Sequence, residues 1–306
     1  MKDADPQQPK SNVDCSLVVN VGLRDYGVAA ATLPHMVRTH RVAFAEICVV
    51  LDETPPTGRL SGVVTQSAKQ DLLDSLHDLT PRPEILRVDR TPSCREIVNR
   101  AWFGHPAVAD RCAGGTPLYP YVYGLHIAKS RYRLHADCDM LFCDPGPTSW
   151  IEQAIRVLGA EPDVMFVNQM MGPGSDVSCA PEFYAPIDQS RRLRLSQEFS
   201  SRCFLFDFEK LRQFLPIAPA SHGLMKRVSY LARNRSGLLP FEQMVTHHLH
   251  RTASYRCDLP PEFGFTLHAW DKMFFGSEEI GNTISSIEAG WAPDVQQGKI
   301  NLIEVW

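Results

Sequence analysis

Two aspartates one residue apart, Asp137 and Asp139, stand at the end of the run RYRLHAD. Successive side chains of an extended chain point to opposite faces, so carboxylates at i and i+2 share a side. Two hard oxygen donors at a strand end suit Mg²⁺ or Mn²⁺, and such an ion keeps open positions for phosphate oxygens. The chemistry to expect is the handling of a phosphorylated ligand. The plainer alternative is that both residues cap a strand and a turn, since an isolated D-x-D is common. Elsewhere, Glu242 follows Pro240 at an expected helix start, where the positive end of the helix dipole favours an ionised carboxylate. His247, His248 and His250 invite a metal reading by type. Helical spacing brings only His247 and His250 near one face, with no acidic residue adjacent, so they read as ordinary helix residues.

The elements around Asp137 give the pair its weight. SLVVNVGL (16–23) is a continuous apolar run rich in β-branched residues, as expected of a parallel strand buried on both faces. Helical spacing follows at 28–40, then the strand AEICVVLDE (45–53), a helix over 63–79 stopped by Pro81, and a short strand at 83–89. Helical segments at 93–104 and 117–130 lead to the strand 131–137, with CDMLFCDPGP leaving it as a loop. A helix at 149–160 and a strand at 163–170 complete this stretch. Alternation of this kind predicts an α/β fold with crossover connections and a Rossmann-like, mainly parallel sheet flanked by helices. Ligands of such sheets bind at the carboxyl ends of the strands, where Asp137 and Asp139 fall. Beyond residue 200 a strand, a turn and a helix are expected over 200–215, then helices at 225–234 and 241–252. Residues 259–294 show little periodicity and read as a binding loop. Asp207 reads as a helix cap.

The chain has 306 residues and is 44% hydrophobic, enough for a large core. A net charge of −4 gives no field for nucleic acid. The nine cysteines are scattered without a CxxC pair, which speaks against structural zinc and for reduced thiols. The polar N-terminus lacks an apolar leader core, and no apolar run reaches the ~18–20 residues of a membrane span. A cytoplasmic setting follows as the expectation. Residues 1–14 read as a disordered tail. Residues 15–306 read as one domain, with a ligand-binding half over 15–145 and a second half over 146–306.

With these residues placed, the chain resembles the GT-A fold glycosyltransferases, similar in layout to the family-two group. The resemblance runs from about Ser16 to Asp271 and rests on short motifs. It implies a nucleoside-diphosphate sugar donor, an acceptor hydroxyl of unknown identity, and Mn²⁺ or Mg²⁺ as cofactor. VVLDE would place Asp52 near the nucleobase, and SCREIVNRAW would bring Arg95, Asn99 or Arg100 to the diphosphate. Asp137-Cys138-Asp139 matches the metal-binding motif, with Asp137 also near the ribose. GFTLHAWDK offers His268 as a third metal ligand. Inverting members carry a Glu-Asp pair at a helix start. LPFEQMVTHHL has Glu242 followed by Gln243, which leaves Glu242 as the base, or else implies retention or a base elsewhere, such as Asp271.

Two other classes compete. A haloacid-dehalogenase-type phosphatase also uses D-x-D after a strand, but on its first strand, with Thr or Val where this chain has Leu141. A non-catalytic nucleotide-binding module would keep the fold without turnover.

Overall fold

The computed structural model describes residues 11–40, 42–55, 66–144, 148–172, 187–188, 193–268 and 277–290. The first strand, β1 (Ser11–Gly22), is followed by α1 (Tyr26–Thr39), β2 (Val42–Asp52), α2 (Gln66–His77) and β3 (Glu84–Arg87). Then come α3 (Pro92–Phe103), α4 (Tyr119–Ile127), β4 (Tyr132–Asp137), β5 (Met140–Cys143), α5 (Trp150–Ala160) and β6 (Val164–Met171). The remainder comprises β7 (Ile187–Asp188), β8 (Leu193–Ser196), β9 (Cys203–Asp207), α6 (Phe208–Leu211), α7 (Leu224–Leu231), α8 (Phe241–Thr252), β10 (Tyr255–Leu259), β11 (Phe265–His268) and α9 (Ser277–Glu288).

The architecture is α/β, with a large, mostly parallel central sheet ordered β3-β2-β1-β4-β9-β6-β10-β8-β7. The four strands from β3 to β4 are parallel to one another. The antiparallel β9 then separates β4 from β6. Alternation along β1 explains why both faces are covered. Leu17, Val19 and Val21 point to one core, which takes Leu33 and Met36 of α1, Leu72 of α2 and Trp150 of α5. Val18 points to the other, with Trp102 of α3, Tyr119 and Val122 of α4, and Met244 of α8. Double burial is the physical cause of the unbroken apolar run.

Three departures from the sequence expectation have local causes. Residues 11–13 pair with 42–44, so the strand reaches into the stretch expected to be tail. Met140–Cys143 form β5 rather than a loop because β11 pairs with them antiparallel. Ser277–Glu288 form a helix within the stretch read as irregular, burying Ile280, Ile284 and Ile287 against Val28 and Ala31 of α1. Asp207 caps α6 as expected, accepting from the Glu209 and Lys210 amides at 2.9 and 3.3 Å. No helix among the described residues is long and apolar enough to cross a membrane. The eight described cysteines are free thiols.

Candidate active site

The chain passes from β1 outward to β2 and β3, then returns to place β4 on the other side of β1. Open α/β sheets bind their ligands at the carboxyl ends of the strands beside such a reversal, here β1 and β4. Register aligns Asn20 of β1 with Asp137 of β4, and Gly22 with Asp52 of β2. Three polar residues thus line one sheet end. Both amide atoms of the Asn20 side chain are buried with no hydrogen-bond partner among the described residues. The Asn20 amide packs against Gly124 of α4, where a Cβ would come within 3.1 Å of its Oδ1. Asn20 lies inside an apolar run, and only the strand order reveals that it nears the end of β1.

Asp52 is buried at the heart of a charge network. Its Oδ1 accepts from Arg90 at 2.7 Å and from the Thr54 amide at 3.0 Å, and its Oδ2 accepts from Arg111 at 2.8 Å. Arg90 also approaches Asp110 at 3.4 Å, and Arg95 reaches Asp110 at 2.7 Å while lying over the Tyr119 ring. A carboxylate has about four lone-pair sites, so Asp52 retains capacity for one further donor. Arg90 and Arg111 lie 38 and 59 positions away in sequence, beyond what local spacing can signal. Asp52→Ala is expected to lower stability by about 3 kcal/mol, the low end for a broken buried pair because both arginines keep some solvent. Urea unfolding measures this, and a change below about 0.5 kcal/mol, the size of an ordinary surface effect, counts against a structural role.

Arg100 pairs with Glu96 at 2.9 Å on the exposed face of α3. Asn99 is fully buried and donates to the Pro106 carbonyl at 3.2 Å.

Asp137 closes β4 half-exposed, with its Oδ1 3.2 Å from His135 Nε2. Asp139 is buried at 2% exposure. Helix α1 holds the turn and the strand after it: the Thr32 hydroxyl donates to the Cys138 carbonyl, and the Phe142 amide of β5 donates to His35 Nε2 at 3.1 Å. With Nε2 accepting, the proton of the neutral ring sits on Nδ1, which faces Glu288 of α9 at 3.1 Å. Burial holds the His35 pKa below its ordinary 6.5, against the pull of Glu288. A depressed pKa stabilises the fold above pH 6.5, and that contribution is lost as the pH falls through the folded value. Wild type is therefore expected to lose more stability than His35→Gln on acidification below 6.5. Equal losses in parallel urea titrations would dismiss the linkage.

Glu242, at the start of α8, approaches the same end of the sheet. The Ser201 amide donates to Glu242 Oε1 at 3.2 Å, the Arg202 carbonyl accepts from the Asp137 amide at 2.7 Å, and the Tyr121 hydroxyl donates to the Ser201 carbonyl. The pair Ser201–Arg202, just before β9, thereby ties Glu242, Asp137 and Tyr121 together. Burial pushes the Glu242 carboxyl above its ordinary value; the Ser201 amide and the Arg202 charge pull it back, and Asp137 pushes it up further. On its outer side lies a cleft of about 510 Å³ lined by Glu198, Phe199, Glu242, Gln243, Thr246, His247 and His250. His250 does have an acidic neighbour, Glu198 at 3.3 Å, brought from 52 positions away.

The backbone of His268 registers with Met140, the residue after Asp139. Its side chain lies outside the described residues, as does Asp271. Among the described residues no three His, Cys, Asp or Glu side chains form a ready-made metal cluster. Asp137 and Asp139 carry carboxylate oxygens, the donor type that Mg²⁺ and Mn²⁺ prefer.

No family model and no curated protein matches the chain. Solved structures do. An active-site mutant of LgtC is 14% identical, with 80% of this chain and 73% of that one covered at a TM-score of 0.38. A glucosyl-3-phosphoglycerate synthase from Mycobacterium tuberculosis, in complex with Mn²⁺, UDP and phosphoglyceric acid, is 10% identical over 90% and 76% at 0.41. The mannosyltransferase PcManGT from Pyrobaculum calidifontis, in complex with GDP-Man and Mn²⁺, is 14% identical over 95% and 68% at 0.44. The chain is similar to these proteins only loosely, with every TM-score below 0.5. Overlaps this loose carry no argument about activity, which rests on the chain's own residues.

Proposed function

We propose that the chain is a metal-dependent glycosyltransferase of the GT-A kind, moving a sugar from a nucleoside-diphosphate sugar to an acceptor hydroxyl. The observation that carries this reading is the position of Asp137 and Asp139 at the strand-order reversal, with Glu242 tied to the same sheet end. Asp52 and Asn20 would meet the nucleoside, with Asp52 accepting a base N–H and so favouring uracil, thymine or guanine over adenine. Arg95 would face the diphosphate from the first turn of α3. Arg100, on the solvent side of that helix, has no part in this reading. Asp137, Asp139 and His268 would hold the divalent cation, which supplies Lewis-acid neutralisation of the leaving diphosphate when bound. Glu242 would take the proton of the acceptor hydroxyl, and its raised pKa suits a base working nearer neutral pH. The cleft beside Glu242 would receive the acceptor. A cytoplasmic setting, where the free thiols stay reduced, belongs to the same reading.

The test is turnover of a panel of nucleoside-diphosphate sugars with and without Mn²⁺, beside a simple phosphate monoester. Slow Mn²⁺-dependent donor hydrolysis with the monoester untouched is the expected result. Monoester hydrolysis alone would make the chain a phosphatase. Binding without turnover of any donor, with acceptor sugars and lipids supplied, would make it a nucleotide-binding module. A clear preference for an adenine nucleotide would remove Asp52 from the base pocket.

A further inference from the structure

One excursion from the body carries a surface that the proposed reaction does not use. Residues 221–238 leave and return at a closed neck. Ser221 bridges Leu238, the His222 amide donates to the Gly237 carbonyl at 3.0 Å, and the Leu239 amide donates to the Ala220 carbonyl at 2.8 Å. The excursion holds α7, which has no buried residue. Leu224, Met225, Val228 and Leu231 are 76%, 84%, 58% and 55% exposed. Spacing of i, i+4 and i+7 sets Leu224, Val228 and Leu231 in one stripe, with Met225 along its edge. The other exposed large apolar side chains among the described residues, Ile85 and Ile97, belong to β3 and α3. A concentrated apolar stripe of this kind marks an interaction surface.

Its charge says what covers it. From Lys210 to Phe241 the sequence has Lys210, Arg212, Lys226, Arg227, Arg233 and Arg235 and no Asp or Glu, within a chain of net charge −4. Lys226, Arg227 and Arg233 are exposed on the same excursion. A second copy docking symmetrically through this patch would set cations against cations. The headgroup region of an anionic bilayer meets both features at once: its boundary takes the apolar stripe, and its charge attracts the flanking Lys and Arg. We propose that α7 docks the chain peripherally on anionic lipid surfaces.

Co-sedimentation of the full chain with phosphatidylcholine vesicles, and with vesicles also containing phosphatidylglycerol, tests this. Binding is expected on the anionic vesicles only, weakening as salt rises. The combined variant Leu224→Gln, Met225→Gln, Val228→Gln, Leu231→Gln should lose it while keeping the wild-type thermal transition, because none of the four is buried. Lys226→Glu with Arg227→Glu should weaken it at least about tenfold. Absence of binding to anionic vesicles, equal binding to neutral ones, or unchanged binding by the glutamine variant would overturn the proposal. So would a concentration-dependent dimer abolished by the glutamine variant, which would assign the stripe to self-association.

Discussion

Replacing Asp139 by asparagine is expected to remove Mn²⁺-dependent donor binding while the chain remains folded. The substitution keeps the shape of the side chain and withdraws the negative charge that a hard divalent cation requires. Asp139 is held in place from two directions: α1 grips the turn through Thr32 and β5 through His35, and β11 pairs with β5 on its other edge. The site should therefore lose its charge without losing its geometry. Removing one preorganised electrostatic contact typically costs about 10²–10³ in rate. We expect a fall of that size in donor turnover, with calorimetry showing that added Mn²⁺ no longer strengthens nucleotide binding. A wild-type response to Mn²⁺ in a variant with an intact thermal transition would remove Asp139 from the metal site.

The second large effect is expected at Glu242. Glu242→Gln should retain donor and metal binding and slow donor hydrolysis little, while transfer to acceptor falls at least about a hundredfold, within the usual contribution of a general base. The glutamine oxygen can still accept from the Ser201 amide, so the local structure is preserved. In wild type the transfer rate should climb with pH through a midpoint above the ordinary 4.5, because burial raises this carboxyl. The stability linkage has the opposite sense. A raised folded pKa contributes stability below 4.5 that is lost as the pH rises through the folded value. At neutral pH the variant should thus be at least as stable as wild type. Near-normal transfer by Glu242→Gln would point to a retaining mechanism or a base outside the described residues, where Asp271 is next to test.

The parts of the fold that the sequence made legible are those whose burial is simple. β1 and β2 are covered on both faces and read as apolar runs, and α5 and α8 show clear helical spacing. β9 was legible as a strand, but nothing local signals that it enters the sheet antiparallel between β4 and β6. α9 was hidden because its stripe, Ile280, Ile284 and Ile287, is narrow and lies among Ser, Gly and Asn. Asp52 and Asp137 end β2 and β4, where the apolar runs stop, and Asp139 falls in the turn that follows. The partners of Asp52 and the approach of Glu242 to Asp137 depend on long-range packing, and a run of letters does not encode which loop folds over which strand.

The place of β9 bears on how the molecule is made. Its five residues pair with the edge of β4 from Tyr132 to Ala136, and with β6 on the other side. During synthesis the first four parallel strands emerge well before residue 203, and until then the edge leading to Asp137 is open to any other extended segment. The chain before residue 145 and the chain after it are therefore joined within one sheet. A fragment ending at residue 145 would expose an apolar, unprotected strand edge, the usual template for aggregation. Complementation by a separately expressed second half should restore solubility only if β9 comes with it.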